Sequence, residues 1–251
     1  MELTCRQLPT ISFLILSVLL QSCATNNPVF RKKQPSISHI HIGHAITGWP
    51  AAPKKQGLLV VAELRSLEAA TNAELLLRAA RDKDFDKARR YLENTTLAVD
   101  PTLLDSTSTD YGLRRAAAEA MTHLSLARDT DDATANVQRT VTQTNIKALD
   151  ILDRADELTS ILDIGLETQS VDELEIIAEE INRSMKRIAG GPDTQGNYGL
   201  FEFRESIEQM VEREDPPYET VDSWYLFNLV KLPDGQWGFA RNSRGPAGAG
   251  Y

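Results

Sequence analysis

A long seam of apolar residues in the middle of the chain limits the folds that this protein can adopt. Its members recur in alternating steps of four and three: Val137, Val141, Thr144, Ala148, Ile151, Ala155, Leu158 and Leu162. Residues at this spacing share one face of an α-helix. Because the pattern lasts for more than three heptads, close to a coiled-coil register, it predicts a long helix that forms the spine of an antiparallel bundle.

Five further helices are predicted on either side of this spine. Helical periodicity covers about residues 57–80, 84–100, 111–128, 170–190 and 200–214. Ser170 and Glu173 form a capping box at the start of the fourth of these segments, and Gly190 ends it. We therefore predict an all-α fold, an antiparallel bundle of about five to six helices over residues 56–215.

The period of the apolar pattern changes from helical to two after Pro216 and Pro217. Residues 223–240, SWYLFNLVKLPDGQWGFA, are rich in aromatic and aliphatic side chains around the turn sequence LPDG. This pattern predicts one small β-hairpin and a flexible tail over residues 216–251. Because a lone hairpin is marginally stable, we expect it to pack on the bundle or on a partner.

The N-terminus carries an export signal. Arg6 precedes the apolar run ISFLILSVLL at residues 11–20, which is too short to span a bilayer. The next residues, Leu20-Gln21-Ser22-Cys23, resemble the lipobox of bacterial lipoproteins, and the resemblance covers residues 1–23. It implies that residues 1–22 are a signal peptide and that Cys23 receives diacylglycerol and a further acyl chain such as palmitate. With Ala24 next, it also implies the periplasmic face of the outer membrane.

The charge is divided unevenly along the chain. Residues 1–55 hold six basic side chains and one acidic one, whereas the other 196 residues hold 21 basic and 35 acidic ones. Residues 23–55 are thus predicted to be a basic, histidine-containing tether between the lipid anchor and an acidic body. An acidic body argues against a nucleic-acid partner, which needs clustered Lys and Arg. A cationic envelope protein or a metal ion suits it better.

Three of the four histidines, His39, His41 and His44, lie within six positions in the segment SHIHIGHAITGW at residues 38–49. In an extended chain His39 and His41 project to the same side, and His44 can fold back after Gly43. Neutral imidazoles at this spacing suit Zn²⁺, Cu²⁺ or Ni²⁺. The alternative is an edge strand or tether whose isoleucines pack while its histidines face water.

The fourth histidine forms a second candidate pair. Glu119 and His123 are four residues apart on the predicted helix over 111–128, so they share one face. Helical bundles hold metals with carboxylate and imidazole pairs at such spacing, although a boundary histidine bonded to its neighbour is the plainer interpretation. If the N-terminal histidines fold back onto the bundle, the two groups can form a single metal site.

The loop GPDTQGNYGLFE at residues 191–202 resembles an EF-hand loop. Asp193 and Gln195 stand at the third and fifth ligand positions, Gly196 at the sixth position and Glu202 at the twelfth. The resemblance implies a calcium site, but the first position is Gly191 where the motif has aspartate. Calcium binding is therefore not expected, and an interhelical turn is the alternative.

Catalytic motifs are absent from the sequence. It contains no Gly-x-Ser-x-Gly, no phosphate-binding glycine loop and no His-Glu-x-x-His, and lipidation of Cys23 leaves the mature chain without a thiol. We therefore predict a non-enzymatic envelope lipoprotein that acts as a binding or interaction module. The alternative function is a periplasmic protein that binds a transition metal through His39, His41 and His44.

Overall fold

Seven α-helices account for most of the residues that the computed structural model describes, which are residues 35–191 and 198–218 with the strand residues 229–231 and 237–239. The helices are α1 (Ile37–Ile46), α2 (Leu58–Arg81), α3 (Phe85–Val99), α4 (Leu113–Asp129), α5 (Ala135–Glu167), α6 (Val171–Ala189) and α7 (Leu200–Glu212). Short 3-10 helices span Pro53–Lys55 and Pro101–Leu103. The all-helical prediction is confirmed, and α1 is added to the six predicted helices.

The helix ends follow from side-chain caps that the sequence supplies. Asp84, Thr134 and Ser170 stand at the N-caps of α3, α5 and α6, and the side chain of each accepts the backbone N–H three residues later. Such caps satisfy donors that have no partner inside the helix. Gly190 ends α6 with a φ of 75°, a value that favours glycine.

The core is built around two helices, α5 and α2. All eight residues of the predicted seam on α5 are buried, and this helix contacts α3, α4, α6 and α7. Helix α2 contacts α1, α3, α4, α6 and α7. Four alanines on α2 are fully buried, which lets its neighbours approach closely: Ala62, Ala69, Ala73 and Ala80.

Residues 37–46 form a helix, so the expectation of an extended chain or edge strand there was wrong. The side chain of Ser36 accepts the N–H of His39, and the carboxylate of Asp132 accepts the N–H groups of Ile37 and Ser38 at 2.6 and 3.1 Å. Ile42 and Ala45 are 1% and 0% exposed, and α1 packs against α4 and α2. This part of the predicted tether therefore belongs to the core, which extends before residue 56.

Two short strands lie beyond the helices. Leu229–Lys231 and Trp237–Phe239 pair antiparallel, with Val230 opposite Gly238. The predicted LPDG turn between them, the tail, the signal peptide and Cys23 lie outside the described residues. Among the helices that are described, none combines the length and the apolar composition needed to cross a membrane.

Candidate metal centre

The packing of α1 against α4 brings three histidines together. Successive residues on a helix are rotated by about 100°, so His41 and His44 point only about 60° apart on α1. His123 lies on the facing helix α4, where the small side chains of Ala116, Ala120 and Ala127 are buried. The hydroxyl of Ser38 donates to the carbonyl of Ala127 at 2.9 Å and fixes how α1 lies against α4.

The three imidazole rings converge through their Nδ1 atoms. Nδ1 of His123 lies 3.1 Å from Nδ1 of His41 and 3.4 Å from Nδ1 of His44. One nitrogen from each ring can be chosen so that all three lie within 4.8 Å of one another. All three side chains are half-buried. A single cation between the rings could therefore accept a lone pair from each of them.

The electrostatics of the cluster favour neutral imidazoles. Burial, with the nearby His123 and His41, lowers the pKa of His44 to about 4. Burial and the nearby His41 also lower the pKa of His123, and the carboxylate of Glu119 offsets only part of that effect. Because a metal ligand must be deprotonated, both imidazoles are ready to bind a metal ion at neutral pH.

Aromatic side chains close one flank of the cluster. The indole ring of Trp49 lies 4.7 Å, centroid to centroid, from the rings of both His44 and His123. Its Nε1 donates to the hydroxyl of Tyr111 at 3.1 Å, and that hydroxyl donates to Oε2 of Glu119 at 2.6 Å. This chain of hydrogen bonds holds the indole against the imidazoles.

Glu119 lies beside His123, as the sequence predicts, but its carboxylate has other partners. Oε2 accepts a hydrogen bond from the hydroxyl of Tyr111, and Oε1 accepts one from Nε of Arg115 at 2.9 Å. Burial and this bond to Glu119 raise the pKa of Tyr111, so the phenol stays protonated. Glu119 thus acts on the cluster through its charge and through Tyr111.

His39 does not join the other three histidines. A helix turns by about 200° over two residues, so His39 and His41 point away from each other, unlike in an extended chain. Nε2 of His39 lies 3.6 Å from Oε1 of Glu214, and its ring lies 5.3 Å from that of Tyr218. His39 therefore connects α1 to the segment after α7.

The EF-hand-like loop is only partly described. Asp193 and Gln195 lie outside the described residues, whereas Glu202 lies in the first turn of α7. Its two oxygens accept the N–H groups of Gly191 and Gly199 at 2.8 and 2.9 Å. Burial alone would raise the pKa of Glu202, but these two hydrogen bonds, together with one from its own backbone N–H, outweigh burial and hold the pKa below its usual value. Glu202 acts as a cap, and the expectation that this loop is an interhelical turn rather than a calcium site stays a prediction.

Trp49 and Tyr111 were not predicted as neighbours of the site. The only hint in the sequence was proximity to the candidate ligands: Trp49 lies five residues after His44, and Tyr111 lies eight residues before Glu119. No family model matches this chain, and comparisons with curated proteins and with solved structures give no match either.

Proposed function

We propose that this protein binds one transition-metal ion through His41, His44 and His123. The supporting observation is the pair of Nδ1 separations, 3.1 and 3.4 Å, that join both α1 histidines to His123. Two nitrogens on a tetrahedral Zn²⁺, each at about 2.0–2.1 Å from the metal, are roughly 3.3 Å apart. These two separations are therefore close to the ligand spacing of a zinc site before any side chain moves.

The donor atoms select the class of metal. Imidazole nitrogens suit Zn²⁺, Cu²⁺ and Ni²⁺, whereas Ca²⁺ and Mg²⁺ take oxygen ligands. Of these three metals, Cu²⁺ is expected to bind most tightly to a nitrogen site, so availability in the cell would decide which is held. Metal binding corresponds to the alternative function predicted from the sequence, with His123 in place of His39 among the ligands. The first prediction, a non-enzymatic binding or interaction module, stays a prediction.

We also propose that Cys23 anchors the protein in the envelope, on the periplasmic face of the outer membrane. The lipobox-like residues 20–23 support this location. Each buried methylene of an acyl chain contributes about 0.8 kcal/mol to membrane binding, so two or three chains hold the protein firmly. The metal site would then face the periplasm close to the membrane surface.

The direction of neighbouring helices and the pairing of the C-terminal strands are also proposals. Residues 82–84 form the whole connection between α2 and α3, and such short connections join antiparallel neighbours in helical bundles. We therefore propose an antiparallel bundle. We also propose the predicted C-terminal hairpin, with its two arms at the paired segments Leu229–Lys231 and Trp237–Phe239.

Metal titration of the full chain in detergent tests the proposed function. With Zn²⁺, Cu²⁺ or Ni²⁺ we expect about one tightly bound equivalent by elemental analysis, and little or none in His123→Asn. Loss of an outer-shell partner already weakens metal binding by about 10–100-fold, and loss of a ligand should cost at least as much. His39→Asn is the matched control and should keep the full equivalent. An unchanged metal content in His123→Asn would exclude the site.

Fractionation of cells tests the anchor separately. The wild-type chain should remain with membranes after high-salt washing, because acyl chains hold it by hydrophobic burial and salt does not weaken that burial. Cys23→Ser should move the protein into the soluble fraction. A Cys23→Ser protein that stays with membranes would overturn the lipid anchor and leave the metal site unaffected.

A further inference from the structure

We propose that the metal ion at this site keeps a fourth coordination position for an exogenous ligand. The occupant is a small monodentate nitrogen or oxygen donor of the imidazole or azide class, and water fills the position in its absence. This inference rests on the proposed function. With an open fourth position, the site would bind a small ligand at its metal ion and would not serve only to stabilise the fold.

The first reason is the number of imidazoles in the chain. The sequence has four histidines, and three of them form the cluster. The fourth, His39, is 4% exposed and faces Glu214 and Tyr218. Because α1 carries His39 on the side away from His41, a rotamer change cannot bring it into the cluster. A fourth imidazole therefore has to come from another molecule.

The second reason is that the neighbouring polar groups already have partners. Oε2 and Oε1 of Glu119 accept hydrogen bonds from Tyr111 and Arg115 at 2.6 and 2.9 Å. To ligate a metal, Glu119 would have to give up a charge-assisted bond, one of the stronger kinds in proteins. Tyr111 donates its own proton to Glu119, and the indole of Trp49 is a donor only.

The third reason is the position of the cluster in the protein. His41, His44 and His123 are half-buried, so the cluster lies at the edge of the core and not inside it. Trp49 covers one flank, and the partial exposure of all three ligands gives water access to the metal. Zinc sites with three protein ligands keep a water or substrate in the fourth position, whereas structural sites use four protein ligands.

The exchange step is simple in chemical terms. The bound water leaves with its lone pair, and the incoming donor gives one lone pair to the metal, so no electron or proton transfer is required. Trp49 limits the size of the occupant, because its indole lies 4.7 Å from two of the ligand rings. A small planar donor such as imidazole should therefore enter more readily than a bulky chelator.

Cobalt substitution of the full chain in detergent tests this inference. Co²⁺ occupies nitrogen sites, and its visible absorption reports the coordination sphere. Titration of the Co²⁺ protein with imidazole, and separately with azide, should shift the spectrum saturably, with about one ligand per cobalt. His39→Asn should behave as the wild type does.

The outcomes distinguish this inference from the proposed function. If Co²⁺ binds through the three histidines but imidazole and azide leave the spectrum unchanged, the fourth position is filled by the protein and the inference is overturned. If imidazole or azide shifts the cobalt spectrum of Glu119→Gln but not that of the wild type, Glu119 is the fourth donor, and this result would overturn the inference equally. If the protein takes up no Co²⁺, Zn²⁺, Cu²⁺ or Ni²⁺ at all, the proposed function fails and this inference fails with it.

Discussion

Tyr111 links the histidine cluster, His41, His44 and His123, to the charged side chains around it. Its hydroxyl accepts from Nε1 of Trp49 and donates to Glu119, so one oxygen atom completes two hydrogen bonds. The Tyr111 side chain is also buried in the core. A substitution there affects the position of Trp49, and through Trp49 the imidazole rings, without removing a metal ligand.

Tyr111→Phe should therefore destabilise the protein moderately. It removes both hydrogen bonds and leaves the indole N–H without its acceptor, and each such loss costs about 1 kcal/mol. We expect the free energy of unfolding to fall by about 1–2 kcal/mol in a denaturant titration. Tyr91→Phe on α3 removes a hydroxyl elsewhere in the bundle and is the control. Equal stability of Tyr111→Phe and the wild type would show that the hydroxyl does not hold Trp49.

At the level of the helices, α1 shows where sequence patterns fail. The α5 seam was predicted correctly because its period is local and long, and all eight of its residues are buried. In α1 two of the four buried residues are polar, Ser38 and His39, and isoleucine alternates with histidine over residues 39–42. Its helical start depends partly on Asp132, which is 95 residues from Ile37. A contact of that range leaves no periodic signal in the sequence.

The histidine cluster was predicted only in part, because it too depends on contacts between distant segments of the chain. His41 and His44 were identified from their proximity in the sequence, and the structure brings both to His123, as expected if the segment folds back. His39 was grouped with them because an extended chain was assumed. Trp49 and Tyr111 were not identified, because their meeting depends on how α1 packs against α4.

Docking of α1 should depend strongly on Ile42. This side chain is 1% exposed in the core, and shortening such a residue to alanine costs about 2–5 kcal/mol. We expect Ile42→Ala to lower the free energy of unfolding by that amount. Ile37→Ala is the matched control on the same helix, since Ile37 is 58% exposed and should change stability by less than about 0.5 kcal/mol. Similar losses in the two variants would contradict the packing of α1.

Metal binding should stabilise the contact between α1 and the rest of the bundle. The proposed site takes two ligands from α1 and one from α4, so Zn²⁺ binds only when the helices are in contact. A ligand at 100 times its dissociation constant stabilises the competent state by about 2.7 kcal/mol. We expect Zn²⁺ to slow amide hydrogen exchange across residues 37–46, as measured by mass spectrometry. In His123→Asn the same zinc concentration should leave the exchange of residues 37–46 unchanged. If zinc also slows the exchange in this variant, zinc binds at a site other than the histidine cluster.

Across the whole molecule, Glu214 connects distant parts of the described chain. Its Oε1 lies 3.6 Å from His39 on α1, and its Oε2 accepts Nδ2 of Asn136 at 2.7 Å at the start of α5. Nδ2 of Asn136 also donates to the carbonyl of Met210 on α7. A single buried carboxylate thus joins α1, the long helix α5 and the end of α7.

This carboxylate should make the protein sensitive to acid. Burial raises the pKa of Glu214, but the nearby His39 and hydrogen bonds from Thr134 and Asn136 outweigh burial and hold the pKa below its ordinary value of 4.5. A lowered folded-state pKa means that the charged form stabilises the fold. That contribution is complete above the ordinary pKa and is lost as the pH falls through the lowered one.

Glu214→Gln should therefore be less stable than the wild type at pH 7, by about 2 kcal/mol, because hydrogen bonds to a charged group contribute about 1.5–3 kcal/mol. The difference should shrink as the pH falls from 4.5 through the lowered pKa, since the carboxylate becomes protonated first in the unfolded chain and then in the folded protein, where its charge is lost. Denaturant titrations between pH 3 and 7 measure this, with the exposed Glu212→Gln as control. A stability difference that stays constant over the whole range would mean that the charge of Glu214 does not join these helices.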